Sequence, residues 1–337
     1  MIVHTDTGRS YLIPRTREFQ VFRKGASGHE QHEYRLFLYT PEEPPPPGGY
    51  AVVFLLDANS CFGSFVEMVR LQTRKPHGYD PLVVVGIGYD TDAPFATSNR
   101  FRDFTVPADP DELLQRGDGS AWPPGGEAEV FLDFLSHDIK PFIQQQLPIH
   151  PGKQALFGHS LGGLFTMHVL LTRPFEFQTY IAGSPSLWWK NGYLFDVLSS
   201  FSQRMLAAGA IPGYARCSTT QAAIASIDVR TDLQLRVEGR KESDAGTLVK
   251  DTEGLVQDAE NQVNNTRVLL AVGGREKPHM IADADKMYRH LQEMKQDLPH
   301  FQVDYGWFEK EGHVSILPGL FNLALQYILG EHPGKLK

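Results

Sequence analysis

The run Gly158-His159-Ser160-Leu161-Gly162-Gly163 carries a serine between small residues in the pattern G-x-S-x-G, the spacing of a nucleophile elbow for acyl transfer. The serine of such an elbow sits on a strained turn from strand to helix, where flanking side chains would strike neighbouring backbone. A hydroxyl attacks a carbonyl only when a base takes its proton. In this architecture the base is a histidine late in the chain, in the loop after the last strand. Of thirteen histidines, His313 is the one so placed, in Glu309-Lys310-Glu311-Gly312-His313. His300 precedes the predicted strand and His332 lies beyond the last helix. His159, inside the elbow, reads as an orienting neighbour rather than the base. The ring needs an acid after the preceding strand, to hold its tautomer. Glu276, in Gly273-Gly274-Arg275-Glu276, is the choice. Asp283 and Asp285 are rivals that look like first-turn residues of the following helix, and a dyad without an acid stays open. The developing oxyanion needs two backbone donors. Leu161, just after the serine, and Ala58, after an earlier strand, are the expected pair, with Asn59 next in line.

These residues need a frame. Phe19–Lys24 and His32–Tyr39 read as an antiparallel pair. Tyr50–Asp57 and Leu82–Gly88 are short, β-branched and apolar on both faces, as strands of a covered parallel sheet are. Gln154–Phe157, Thr179–Ala182, Thr266–Val272 and Phe301–Phe308 continue the series. Between Glu127 and Leu147 the apolar residues recur at helical steps, with a kink expected at Pro141. Further helices are predicted over Leu161–Leu171, Ile281–Met294 and Leu317–Leu329. This alternation predicts a doubly wound α/β fold, a mostly parallel central sheet with helices on both faces, and together with the serine elbow it predicts the α/β-hydrolase type. A single domain spanning 1–337 is expected. Residues 199–265, polar and poor in aromatics, read as an insertion that either caps the active site or is a surface excursion.

Composition narrows the function. With 337 residues, 41% of them hydrophobic, the chain can bury a large core, and a formal net charge of -8 disfavours a nucleic-acid partner. The two cysteines, Cys61 and Cys217, give neither a disulfide framework nor zinc spacing, so no metal and no cofactor is expected. No segment has the ~18 uninterrupted apolar residues of a membrane span, and the first residues lack an apolar leader. A soluble, cytoplasmic protein acting on a small-molecule ester is the expectation, its oligomeric state open.

Leu55-Leu56-Asp57-Ala58, the Arg100–Pro107 segment, the Ser160 elbow, Gly183-Ser184-Pro185-Ser186-Leu187-Trp188-Trp189, Gly273–Glu276 and Glu311-Gly312-His313 occur in the order found in the "Putative esterase" family. The chain resembles that family over about residues 15–330 outside most of the insertion. Within it, Leu187-Trp188-Trp189 and the Arg100 segment look most like esterases of ferric siderophores of the enterobactin and bacillibactin type. That resemblance implies cleavage of backbone esters to release iron. A tricatecholate ferric complex is a bulky aromatic trianion that calls for aromatic faces and cations. Trp188 and Trp189, after one strand, and Arg100 and Arg102, after another, are therefore expected substrate contacts. The alternatives are a carboxylesterase or thioesterase on other acyl groups, and an inactive hydrolase fold used for binding.

Overall fold

In the computed structural model the residues described are 12–24, 31–75, 78–201, 266–295 and 301–330. The proposed insertion at 199–265 therefore lies, apart from its first three residues, outside the described residues, as does Cys217.

Eight strands form one sheet: β1 (Thr16–Lys24), β2 (Gln31–Tyr39), β3 (Tyr50–Leu55), β4 (Leu82–Gly88), β5 (Ile149–His159), β6 (Thr179–Gly183), β7 (Arg267–Gly273) and β8 (Gln302–Phe308). Their spatial order is β1-β2-β4-β3-β5-β6-β7-β8. β2 pairs antiparallel with both β1 and β4, and every later pairing is parallel. The fully buried patterns of β3, β4 and β6 follow from being covered on both faces.

One face carries α1 (Ala58–Gln72) and α7 (Leu317–Leu329), whose Phe65 and Phe321 pack edge to face at 5.6 Å. The other carries α2 (Thr97–Phe104), α3 (Ala128–Phe134), α4 (Lys140–Gln146), α5 (Leu161–Thr172) and α6 (Pro278–Lys295). Eleven residues of α5 are buried, so this helix has no polar face and runs through the core.

Two expectations are corrected. The single kinked helix over Glu127–Leu147 is instead α3 and α4 joined by a π-turn at Leu135–Ile139. Pro141 stands in the first turn after it, where its missing N–H breaks the regular ladder and the backbone widens locally. Helix α6 starts at Pro278 rather than Ile281, which moves Asp283 and Asp285 out of the first turn. Helix α1, which no periodic run had flagged, packs Phe62, Phe65, Val66 and Val69 under the sheet.

The sheet changes direction of growth at β3. From β3 the chain proceeds through α1 to β4 on one side, then crosses to β5 on the other. The carboxyl ends of β3 and β5 flank that switch, where open α/β sheets hold their ligands.

Candidate active site

Ser160 follows β5 and is the N-cap of α5, with φ of 60° and ψ of -115°. Only close packing keeps a residue other than glycine in this region. A Cβ on Gly158 would lie 2.0 Å from the Gly162 carbonyl, and one on Gly163 would lie 2.9 Å from the Gly183 carbonyl. The small residues of the motif are thus required by backbone contact on both sides of the elbow.

His313 sits in the turn after β8. Its Nε2 is 3.0 Å from Ser160 Oγ and its Nδ1 is 2.8 Å from Glu276 Oε2. With Nδ1–H donating to the carboxylate, Nε2 is left to accept the serine proton. Glu276, in the turn after β7, has a fully buried side chain. Its other oxygen accepts from the Ser184 hydroxyl at 2.5 Å and from the Gly273 N–H at 2.8 Å. Burial pushes the Glu276 carboxyl upward, but the hydrogen bonds from His313, Ser184 and Gly273 outweigh it and hold the group below its ordinary value. The rivals stand elsewhere: Asp285 pairs with Arg289 at 2.5 Å, and the charged neighbours of Asp283 are His279 and Lys286. Ser184 had no role assigned from sequence, although the Gly183-Ser184-Pro185-Ser186 run after β6 is where a side chain can reach the end of β7.

His159 is buried beside the base, with ring centroids 4.8 Å apart. Its Nε2 donates to the His313 carbonyl at 2.6 Å, which requires the proton on Nε2. Burial and the neighbouring His313 bring its pKa down to about 3, so it stays neutral and grips the loop that carries the base.

Leu161 and Ala58 are the first residues of α5 and α1. The N–H of such a residue has no acceptor within its own helix and can serve an external oxygen. The serine opens into a cleft of about 670 Å³ whose walls include Trp122, Trp188, Arg116, Lys277 and His279. Trp122 and Trp188 face each other at 5.1 Å between centroids, and the Arg116 guanidinium lies 5.2 Å over the Trp122 ring. Trp122, Arg116, Lys277 and His279 were not anticipated. The first two lie on the long connection between α2 and α3, whose path no periodicity reveals.

The expected substrate contacts divide. Trp188 lines the cleft. Trp189 does not: it is buried beneath, with Nε1 donating to the Val106 carbonyl at 3.0 Å. Arg102 is turned away to Asp103, Tyr34 and His32, because successive residues of α2 point in different directions. Arg100 reaches the cleft floor, yet its Nε and Nη2 clasp Asp57 at 2.6 and 3.0 Å. Direct substrate contact is thereby withdrawn for Trp189 and Arg102, and Arg100 is committed first to a carboxylate. Among the described residues no group of three His, Cys, Asp or Glu is placed to hold a metal, and no helix is long and apolar enough to cross a membrane.

A serine on a strained elbow, an imidazole and a buried carboxylate in line at the switch point of this sheet define a serine ester hydrolase of the α/β-hydrolase type. The chain belongs to the family described as "Putative esterase", which it matches over residues 27–303. It is 35% identical over 332 residues to ferri-bacillibactin esterase BesA of Bacillus subtilis, covering 97% of this chain and 93% of that one. A siderophore enterobactin esterase of Emericella nidulans is 39% identical over 145 residues, 41% of this chain and 47% of the relative. The crystal structure of the BES protein from Bacillus cereus superposes with a TM-score of 0.72 at 26% identity, covering 95% of this chain and 98% of that one.

Proposed function

We propose that this enzyme hydrolyses the ester bonds of an iron-carrying siderophore of the catecholate trilactone class, with Ser160 as nucleophile, His313 as base and Glu276 as orienting acid. The observation that carries the catalytic part is the unbroken line from Ser160 Oγ through the His313 ring to the Glu276 carboxylate. Ser160 Oγ attacks the ester carbonyl while Nε2 takes its proton. Glu276 stabilises the imidazolium so formed. The carbonyl oxygen gathers charge toward the N–H groups of Leu161 and Ala58. The imidazolium then protonates the departing alkoxide, leaving an acyl-serine that water cleaves by the same steps in reverse roles.

The cleft supports the substrate class. Trp122 and Trp188 give the cleft an aromatic wall for catechol rings, and Arg116 and Lys277 bring positive charge toward a polyanion, with Asp118 the one acid of the lining, 3.5 Å from Arg116. Relatives named as esterases of ferri-bacillibactin and of enterobactin point the same way. Iron enters as part of the substrate.

Incubation with a panel of siderophores, with and without iron, followed by mass spectrometry of the products tests the reading. Stepwise opening of a catecholate trilactone is expected. Turnover of simple esters with no cleavage of any siderophore would remove the substrate. Trp188→Ala should slow trilactone hydrolysis about tenfold, of the order of one lost aromatic face, while a neutral aryl acetate is hydrolysed at close to the unmodified rate. Equal losses on both substrates would mean that Trp188 supports the fold rather than recognition.

A further inference from the structure

Asp57 and Ser160 occupy equivalent places. Each follows a parallel strand next to the switch point, each is the N-cap of the following helix, and each has positive φ, 54° and 60°, with ψ of 42° and -115°. Asp and Ser are favoured N-caps because their side chains accept from the first-turn N–H groups. Neither does so here. The Ser160 hydroxyl turns to His313, and the Asp57 carboxylate turns to Arg100. The first-turn amides of both helices are thus left uncapped by their own N-cap side chains.

The Asp57–Arg100 pair also ties the two helix starts together. Arg100 Nη2 bonds both Asp57 Oδ2 at 3.0 Å and the carbonyl of His159, the residue before the nucleophile, at 3.4 Å. The same Oδ2 stands 3.4 Å from where a Cβ on Gly162 would lie, in the first turn of α5. The Phe95 ring lies 4.9 Å from the guanidinium and closes its other side. Burial holds the Asp57 carboxyl above its ordinary value, and Arg100 offsets that only in part.

We propose that Arg100 is a positioning residue for the oxyanion hole: by clasping Asp57 and the His159 carbonyl it holds the Ala58 and Leu161 N–H groups at the spacing that the tetrahedral intermediate requires. This rests on the serine-esterase reading above. The bidentate fork does what a single ammonium cannot, because it fixes the orientation of the carboxylate as well as its distance. Its contribution falls on the developing charge and not on the resting substrate, so loss should appear in kcat with KM little changed.

The test uses Arg100→Lys, Arg100→Gln and Asp57→Asn in the full chain. Each is assayed on a neutral aryl acetate and a catecholate trilactone, and titrated with an aryl boronic acid, whose serine adduct places an oxygen in the oxyanion hole. Expected are falls in kcat of about tenfold for Arg100→Lys and about a hundredfold for the other two, on the scale of losing one oxyanion donor. The losses should be alike on both substrates, and the boronate should weaken in proportion across the series. An unchanged acetate rate with a raised KM for the trilactone alone would overturn the proposal in favour of a substrate contact. Rates and boronate affinity unchanged per folded molecule, with lowered thermal stability, would overturn it in favour of a purely structural pair. Should Arg100→Gln fail to fold, Arg100→Lys, which keeps a cation in place, decides alone. Failure of the underlying reading looks different: the unmodified enzyme itself would then neither cleave the acetate nor be labelled at Ser160 by a fluorophosphonate.

Discussion

Glu276 and Asp103 are both carboxylates with fully buried side chains, and their surroundings differ in kind. Asp103 receives Arg23 at 2.9 Å, Arg102 at 2.8 and 2.9 Å and the Tyr34 hydroxyl at 2.9 Å. Fixed positive charges neutralise it. Glu276 receives a hydroxyl, an amide N–H and an imidazole, so no permanent cation cancels its charge. Its negative charge remains available when a proton arrives on His313. A carboxylate that locks a fold is already balanced, whereas one that assists a proton transfer is balanced only while the transfer is under way.

The comparison can be broken by activity. Ser160→Ala should lower turnover about 10⁶-fold, His313→Ala by a similar factor, and the double variant hardly further, because the residues act as a unit. Steady-state hydrolysis of an aryl acetate by the purified, folded variants measures this, and additive losses would separate the pair. Glu276→Gln should cost at most about 10⁴-fold in kcat with stability little changed. Asp103→Asn should do the opposite. It leaves Arg23 and Arg102 facing a neutral amide, a loss of about 3–5 kcal/mol in denaturant unfolding, with kcat per folded molecule within about threefold. If Asp103→Asn abolished turnover without loosening the protein, the distinction drawn here would be wrong.

The smallest effect concerns pH. His159 has an ordinary value of 6.5 and is brought down to about 3 in the fold, so between those limits the unfolded chain binds the extra proton. Stability rises with pH through that window and is lost as pH falls, at up to ~1.4 kcal/mol per unit. Glu276, held below its ordinary value, acts in the same direction at lower pH: its contribution is present above its unfolded pKa and is lost as pH falls through the folded one. His159→Gln keeps a donor for the His313 carbonyl and removes the titration, so its unfolding free energy should fall less between pH 7 and 5. Parallel pH profiles for the two proteins would contradict the buried neutral ring.

The strand segments and the candidates Ser160, His313 and Glu276 were legible because they depend on local signals: a glycine-bracketed serine, polar loops after apolar strands, and chain order; the spatial order of the strands was not. Arg100 was visible as a charged residue in the right segment, but its partner Asp57 lies 43 residues away and no periodicity links the two. Trp188 and Trp189 were both expected to touch substrate, with Trp188 the first choice. The short turn they enter sends one into the cleft and the other into the core, a division set by backbone torsion. Ser184 was hidden because its role depends on the approach of β6 to β7, which is tertiary.

His313 and Ser160 stand 153 residues apart, and the strand that delivers the histidine is at an edge of the sheet and the last among the described residues. A nascent polypeptide can therefore build β1 to β6 and bend its serine onto the elbow while the base is still in the ribosome. Long-range closures of this sort form late, so an incomplete chain carries a nucleophile with nothing to deprotonate it. With His313 as base, hydrolysis is expected to begin only when β8 docks on β7. In refolding, recovery of turnover should trail recovery of tryptophan fluorescence, and the enzyme in effect certifies its own completion before it can touch an ester.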